Sequence, residues 1–104
     1  MTEFNDVRII KKANIYFDGK VTSRSLVFSN GSRKTLGIML PGEYEFNTDE
    51  KEIIEILSGD LKVLLSDEEE WKNYGAGDSF EVPAQSKFGL RVITITDYCC
   101  SFVD

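Results

Sequence analysis

The pattern that most restricts this chain is a period-two alternation of apolar and polar residues, cut at short intervals by turn residues. Successive side chains on a strand point to opposite faces, so alternation marks a half-buried strand and its interruptions mark turns. Asn14 to Asp18 leads through Gly19 into Val21 to Phe28. Ser29-Asn30-Gly31-Ser32 then reads as a hairpin turn, because Asn-Gly readily takes positive φ. Arg33 to Leu40 stops at Pro41-Gly42, and Glu43 to Thr48 alternates acid with aromatic. Tyr44 and Phe46 therefore share one face, and Glu43 and Glu45 the other. Helix propensity allows Glu50 to Leu57 a short helix. A strand is preferred, because the tight turn Ser58-Gly59-Asp60 joins it to the matching apolar run Leu61 to Leu65. Asp67 to Lys72 reads as a solvated loop or a single helical turn, after which Trp71 and Tyr74 return the chain to the core. Ser79 to Val82, Phe88 to Thr96 and Tyr98 to Val103 complete the set. Roughly nine strands in about 100 residues predict an all-β sandwich or small barrel. Residues 14–104 are expected to form that barrel domain, and residues 1–13 an N-terminal arm or an extra edge strand.

A chain of 104 residues supports one domain with one core. The acidic balance, a net charge of −6, argues against nucleic acid as a partner, since phosphate backbones need a basic surface. The sequence contains no histidine. That excludes Ser-His-Asp and Cys-His catalytic units and imidazole metal sites, leaving carboxylates, hydroxyls, amines, guanidiniums and backbone amides. Cys99 and Cys100 are the two cysteines. As neighbours they cannot staple distant strands, and one of them is expected to be buried as a small hydrophobe. With no signal-like apolar run near the start and no stretch long enough to cross a bilayer, a cytoplasmic protein with no membrane association is expected.

Two glycine-marked segments carry a resemblance. Glu52-Ile53-Ile54-Glu55-Ile56-Leu57-Ser58-Gly59 has the cadence of the first cupin motif, and Gly77-Asp78-Ser79-Phe80-Glu81-Val82-Pro83 that of the second. In that register Phe88 falls where metal-binding cupins place a histidine, and the upstream ligand pair would fall around Glu45 to Thr48. The chain thus resembles a cupin-like jelly-roll β-barrel that has lost its metal triad.

From Asn14 to Phe102 it also resembles a narrower family, the small cupin-type pyrimidine/purine nucleoside phosphorylases. The matching residues include Tyr16-Phe17-Asp18-Gly19-Lys20-Val21, Gly37-Ile38-Met39 and Pro41-Gly42-Glu43-Tyr44-Glu45-Phe46-Asn47-Thr48. They continue through Leu57-Ser58-Gly59, Trp71, Tyr74, Val82-Pro83, Ser86, Phe88, Leu90, Tyr98 and Cys100. The resemblance implies phosphorolysis: a purine or pyrimidine nucleoside plus inorganic phosphate gives free base and pentose 1-phosphate. It implies broad specificity across nucleosides such as uridine, adenosine, guanosine, cytidine, inosine, thymidine and xanthosine. It further implies no metal or organic cofactor, and a homodimer.

Cleaving an N-glycosidic bond passes through an oxocarbenium-like state, as in glycoside hydrolysis. The protein must hold phosphate beneath C1′, stabilise the ribose and help the base depart. Tolerance of many bases favours stacking, since every base has a π-face. If the faces carrying Tyr44, Phe46 and Thr48, then Glu52, Ile54 and Ile56, then Phe88, Leu90 and Val92 line the interior, Glu52 is an interior carboxylate. It is the candidate catalytic group, suited to a ribose hydroxyl or the departing base. Tyr44, Phe46, Thr48, Phe88 and Tyr98 are the candidate substrate-binding residues, with the bland alternative that the aromatics only fill the barrel. Phosphate calls for a cation; the candidates are Lys20, Arg24, Arg33 and Arg91, of which Lys20 is carried by the family match. The competing function is a non-catalytic, metal-free cupin that binds a small molecule as a sensor or assembly module.

Overall fold

The computed structural model describes residues 2–103. It contains eleven strands. These are β1 (Arg8–Ile9), β2 (Asn14–Tyr16), β3 (Val21–Val27), β4 (Arg33–Met39), β5 (Gly42–Asn47) and β6 (Lys51–Ser58). They continue as β7 (Asp60–Leu65), β8 (Lys72–Gly75), β9 (Ser79–Val82), β10 (Lys87–Val92) and β11 (Thr96–Val103). The larger sheet runs β1-β3-β4-β11-β6-β9, with β2 also paired to β3, and the smaller runs β5-β10-β7-β8. Every pairing is antiparallel.

The alternation explains how the sheets close on each other. Val21, Met39, Ile54, Ile56, Phe80 and Val82 from the larger sheet meet Leu61, Val63, Leu90 and Val92 from the smaller, all buried in one core. Burying an aliphatic side chain of this kind contributes about 1.5–3 kcal/mol. The Asn30-Gly31 turn forms as expected, with Gly31 at φ 88° and Asn30 Oδ1 accepting from the Ser32 amide at 3.0 Å.

Several details depart from the sequence reading. β8, which pairs with Asp60 to Val63, is additional to the nine strands read from the sequence, while β1 lies within residues 1–13 and pairs with Leu26 and Val27. Both are short and polar or mixed, so their strand character comes from a neighbour's unpaired edge rather than from alternation. The strand expected from Phe88 to Thr96 ends at Val92, and β11 begins at Thr96. Between them the Ile93 amide turns aside to the Asp60 carbonyl at 2.9 Å, which carries the chain from one sheet to the other. Trp71 does not return to the core. It lies on the outer face of the smaller sheet, against Gly89, where a Cβ would come within 3.0 Å of the indole. Arg91 covers it at 4.1 Å from the ring centroid. Tyr74 does pack inward, 4.9 Å from Phe80. Both cysteines are buried, Cys100 inside the barrel and Cys99 on the outer face between Leu36 and Glu55.

Candidate active site

A cavity of about 160 Å³ lies between the two sheets. Glu52, Phe46, Phe88 and Tyr98 all line it, so four of the sequence-derived candidates converge on one space. Phe46 and Phe88 are cross-strand partners on β5 and β10. Their rings stack at 5.8 Å with planes 23° apart. Tyr16 meets Phe46 edge-on at 5.7 Å, and Phe80 meets Phe88 at 6.4 Å. Phe88, which the cupin-like register sets where metal-binding members place a histidine, is one of these rings, and a phenyl ring offers no lone pair to a metal.

Glu52 enters the cavity from β6, opposite Phe102 on β11 and Val82 on β9. Its Oε1 accepts a hydrogen bond from the Cys100 thiol at 3.3 Å. Burial pushes the carboxyl above the usual range; the Cys100 bond opposes that, and the charges of Glu50 and Asp49 add to it. A carboxyl held this way retains a proton closer to neutrality than a surface glutamate and can deliver it to a leaving group.

Tyr98 shares this lining, on β11 opposite Ile56 of β6. Burial drives its phenol upward, against a hydrogen bond with Ser23, so it remains a neutral donor. Ser23 in turn accepts from Asn14 Nδ2 at 3.2 Å, linking the cavity to β2. Gly37 makes the placement of Tyr98 possible. The two residues face each other on β4 and β11, and a Cβ at Gly37 would lie 2.8 Å from the Tyr98 ring and 2.2 Å from the Thr22 carbonyl oxygen.

The remaining candidates lie elsewhere. Tyr44 is buried, but its hydroxyl donates to the Leu40 carbonyl at 2.7 Å, and its ring packs on Phe17 rather than into the cavity. Thr48 is also buried. Its hydroxyl donates to the Pro83 carbonyl at 2.6 Å and accepts the Ser86 amide at 3.1 Å, tying the end of β5 to the loop after β9. Lys20 sits on an exposed turn, its amide closing on the Phe17 carbonyl at 3.1 Å, and is not among the cavity-lining residues. Arg24 bonds the Lys11 carbonyl, and Arg91 pairs with Glu43 at 3.0 Å on the outer face.

Tyr16, Ser23, Asn47, Cys100 and Phe102 line the cavity without having been singled out as site residues. For Cys100 and Phe102 the signal was present: they follow Tyr98 at spacings of two on one strand. For Ser23 it was the same spacing from Val21. Asn47 falls in the exposed, polar phase of β5 with Glu43 and Glu45, so no local pattern points to it.

An antiparallel two-sheet barrel enclosing a lined cavity is the architecture of a cupin. An RmlC-like cupin from Shewanella frigidimarina NCIMB 400 superposes with a TM-score of 0.70 at 20% identity, over 96% of this chain and 86% of that one. A crystal structure of a protein of unknown function from Acinetobacter sp. ADP1 is nearer, with a TM-score of 0.94 at 38% identity over 97% and 98% of the two chains. The family model described as pyrimidine/purine nucleoside phosphorylase matches residues 11–102. A curated relative of that name from Chlorobium chlorochromatii (strain CaD3) is 63% identical over 103 residues, covering 99% of each chain. The chain belongs to this family of pyrimidine/purine nucleoside phosphorylases.

Proposed function

We propose that this protein is a nucleoside phosphorylase acting on both purine and pyrimidine nucleosides. The observation that carries this reading is membership of the family across residues 11–102. The cavity supports it chemically. Phosphate oxygen forms a bond to C1′ as the C1′–N bond breaks, and the bonding electron pair leaves with the base. Glu52 supplies the proton or hydrogen bond that stabilises the departing base, and Phe46 and Phe88 provide a face on which any base can stack. A stacking wall with few directional groups favours breadth over discrimination among bases. No metal or organic cofactor takes part, inorganic phosphate being a co-substrate.

The protein works as a homodimer in the cytoplasm. Ile15, Leu36, Ile38 and Leu57 are all exposed on the outer side of the larger sheet, an apolar surface that a second copy would cover. Two free buried thiols suit a reducing compartment. Incubation with uridine or adenosine tests the activity: base should appear with phosphate and stop appearing without it. No base from several nucleosides across a range of phosphate concentrations would overturn the reading.

One observation favours the alternative of a non-catalytic binding barrel: among the described residues, no lysine or arginine lines the cavity. A thermal shift with nucleoside alone, unaccompanied by product when phosphate is added, would support that alternative.

A further inference from the structure

Phosphate is a dianion, and among the described residues the cavity lining offers it hydroxyls, a thiol and a carboxyl but no cation. One positive charge stands just beyond the lining, on a ring that belongs to it. Arg33 begins β4 on the same face as Thr35 and Met39, both of which line the cavity. Ser101 pairs with Lys34, and Phe102 pairs with Glu52. The next inward row across the sheet therefore reads Arg33, Phe102, Glu52. The Arg33 guanidinium lies over the Phe102 ring, 5.2 Å from its centroid, and Phe102 is itself part of the cavity wall. Among the described residues, no other lysine or arginine is stacked on a ring that lines the cavity.

We propose that Arg33 receives the inorganic phosphate at the rim of the cavity, displacing Glu50, with which it is paired. The inference rests on the phosphorolysis reading above and names the anion site that reading lacks. Adjacent strands are about 4.8 Å apart, so the backbones of Arg33 and Glu52, on strands either side of β11, stand roughly 10 Å apart. A ribose held across Phe102 would then have phosphate on one side of C1′ and the Glu52 carboxyl on the side of the departing base. Exchanging Glu50 for phosphate costs little. The Arg33 and Glu50 side chains are 53% and 34% exposed, and a pair exposed to that degree is weak, whereas guanidinium can grip two phosphate oxygens at once. Glu50 thus keeps the guanidinium neutralised and seated on Phe102 until phosphate arrives.

The test is inorganic phosphate binding to the full chain by calorimetry, together with the phosphate KM in uridine phosphorolysis. Arg33→Ala should weaken both by about tenfold or more, and Arg33→Lys should recover part of the loss. Glu50→Gln should tighten phosphate, because the competing carboxylate is gone. Lys62→Ala, on the smaller sheet, should change neither. Unchanged phosphate affinity in Arg33→Ala overturns the proposal, as does a loss confined to Lys20→Ala or a wild-type chain that binds no phosphate. A wild-type chain that binds phosphate through Arg33 yet releases no base leaves the anion site standing and overturns the phosphorylase reading instead.

Discussion

The Cys100 thiol donates a 3.3 Å hydrogen bond to Glu52 inside a cavity walled largely by rings. This pairing joins β11 to β6, and it sets two opposed influences on one carboxyl. Burial raises the Glu52 proton affinity while the thiol lowers it, with Glu50 and Asp49 adding repulsion and the neutral Tyr98 phenol standing in the same lining.

Glu52→Gln should cost about 10²-fold or more in kcat while leaving the protein folded. It should also stabilise the protein in alkaline solution. The folded chain holds the Glu52 proton more tightly than the unfolded chain, so this group's contribution is complete below the ordinary carboxylate range. It is lost as pH rises through the elevated folded value. Thermal unfolding of the two proteins should therefore coincide near pH 4 and diverge near pH 8, with the glutamine variant melting higher. Parallel curves at both pH values would remove Glu52 from the buried, proton-retaining role.

Cys100→Ala should move the alkaline limb of the kcat profile upward, since the bond that lowers the Glu52 proton affinity is gone. Cys100→Ser, which keeps a donor, should hold the limb near its original position. Identical profiles for all three proteins would show that the thiol does not tune the carboxyl.

Neither thiol should be a nucleophile. Burial pushes both Cys99 and Cys100 upward, and the Glu52 charge pushes Cys100 further. Alkylation of the native protein at pH 7.5 should run ~10-fold or more slower than after unfolding. Rapid native labelling at either position would contradict the burial described.

Much of this was legible because alternation fixes faces. Glu52, Phe46, Phe88 and Tyr98 were placed by counting in twos, and the cavity brings them together. Tyr44 and Phe46 shared a face in the sequence, yet only Phe46 reaches the cavity. The Tyr44 hydroxyl is tied to the Leu40 carbonyl at 2.7 Å, ahead of the start of β5, and its ring is not part of the cavity lining. Sequence period gives the face of a strand but not the depth along the barrel. Trp71 was misread for a related reason: a large apolar side chain is usually sent inward, but a side-chain-free Gly89 and a guanidinium from Arg91 provide it a seat outside. The sheet-switching corner at Ile93 to Ile95 was invisible because its apolar residues continue the strand-like run while lying exposed.

Gly37→Ala should destabilise the chain by about 1–3 kcal/mol, because the added methyl meets the Thr22 carbonyl and the Tyr98 ring and neither can retreat freely. Nucleoside affinity should fall with it as Tyr98 is displaced. Urea unfolding and a nucleoside titration measure the two effects; wild-type stability would contradict the close approach of β4 and β11.

Ile38→Glu, in the exposed apolar surface of the larger sheet, should convert the proposed dimer to monomer in light scattering without lowering the thermal midpoint of the isolated chain appreciably. A dimer that survives this change would place the interface elsewhere.

The measurement that bears most directly on the account follows phosphorus by NMR while the protein turns over uridine in phosphate buffer. The account predicts a pentose 1-phosphate ester signal growing in step with free uracil, with inorganic phosphate consumed in equal amount. Uracil released without the ester, or an unchanged phosphate signal over many hours at high protein concentration, would contradict it.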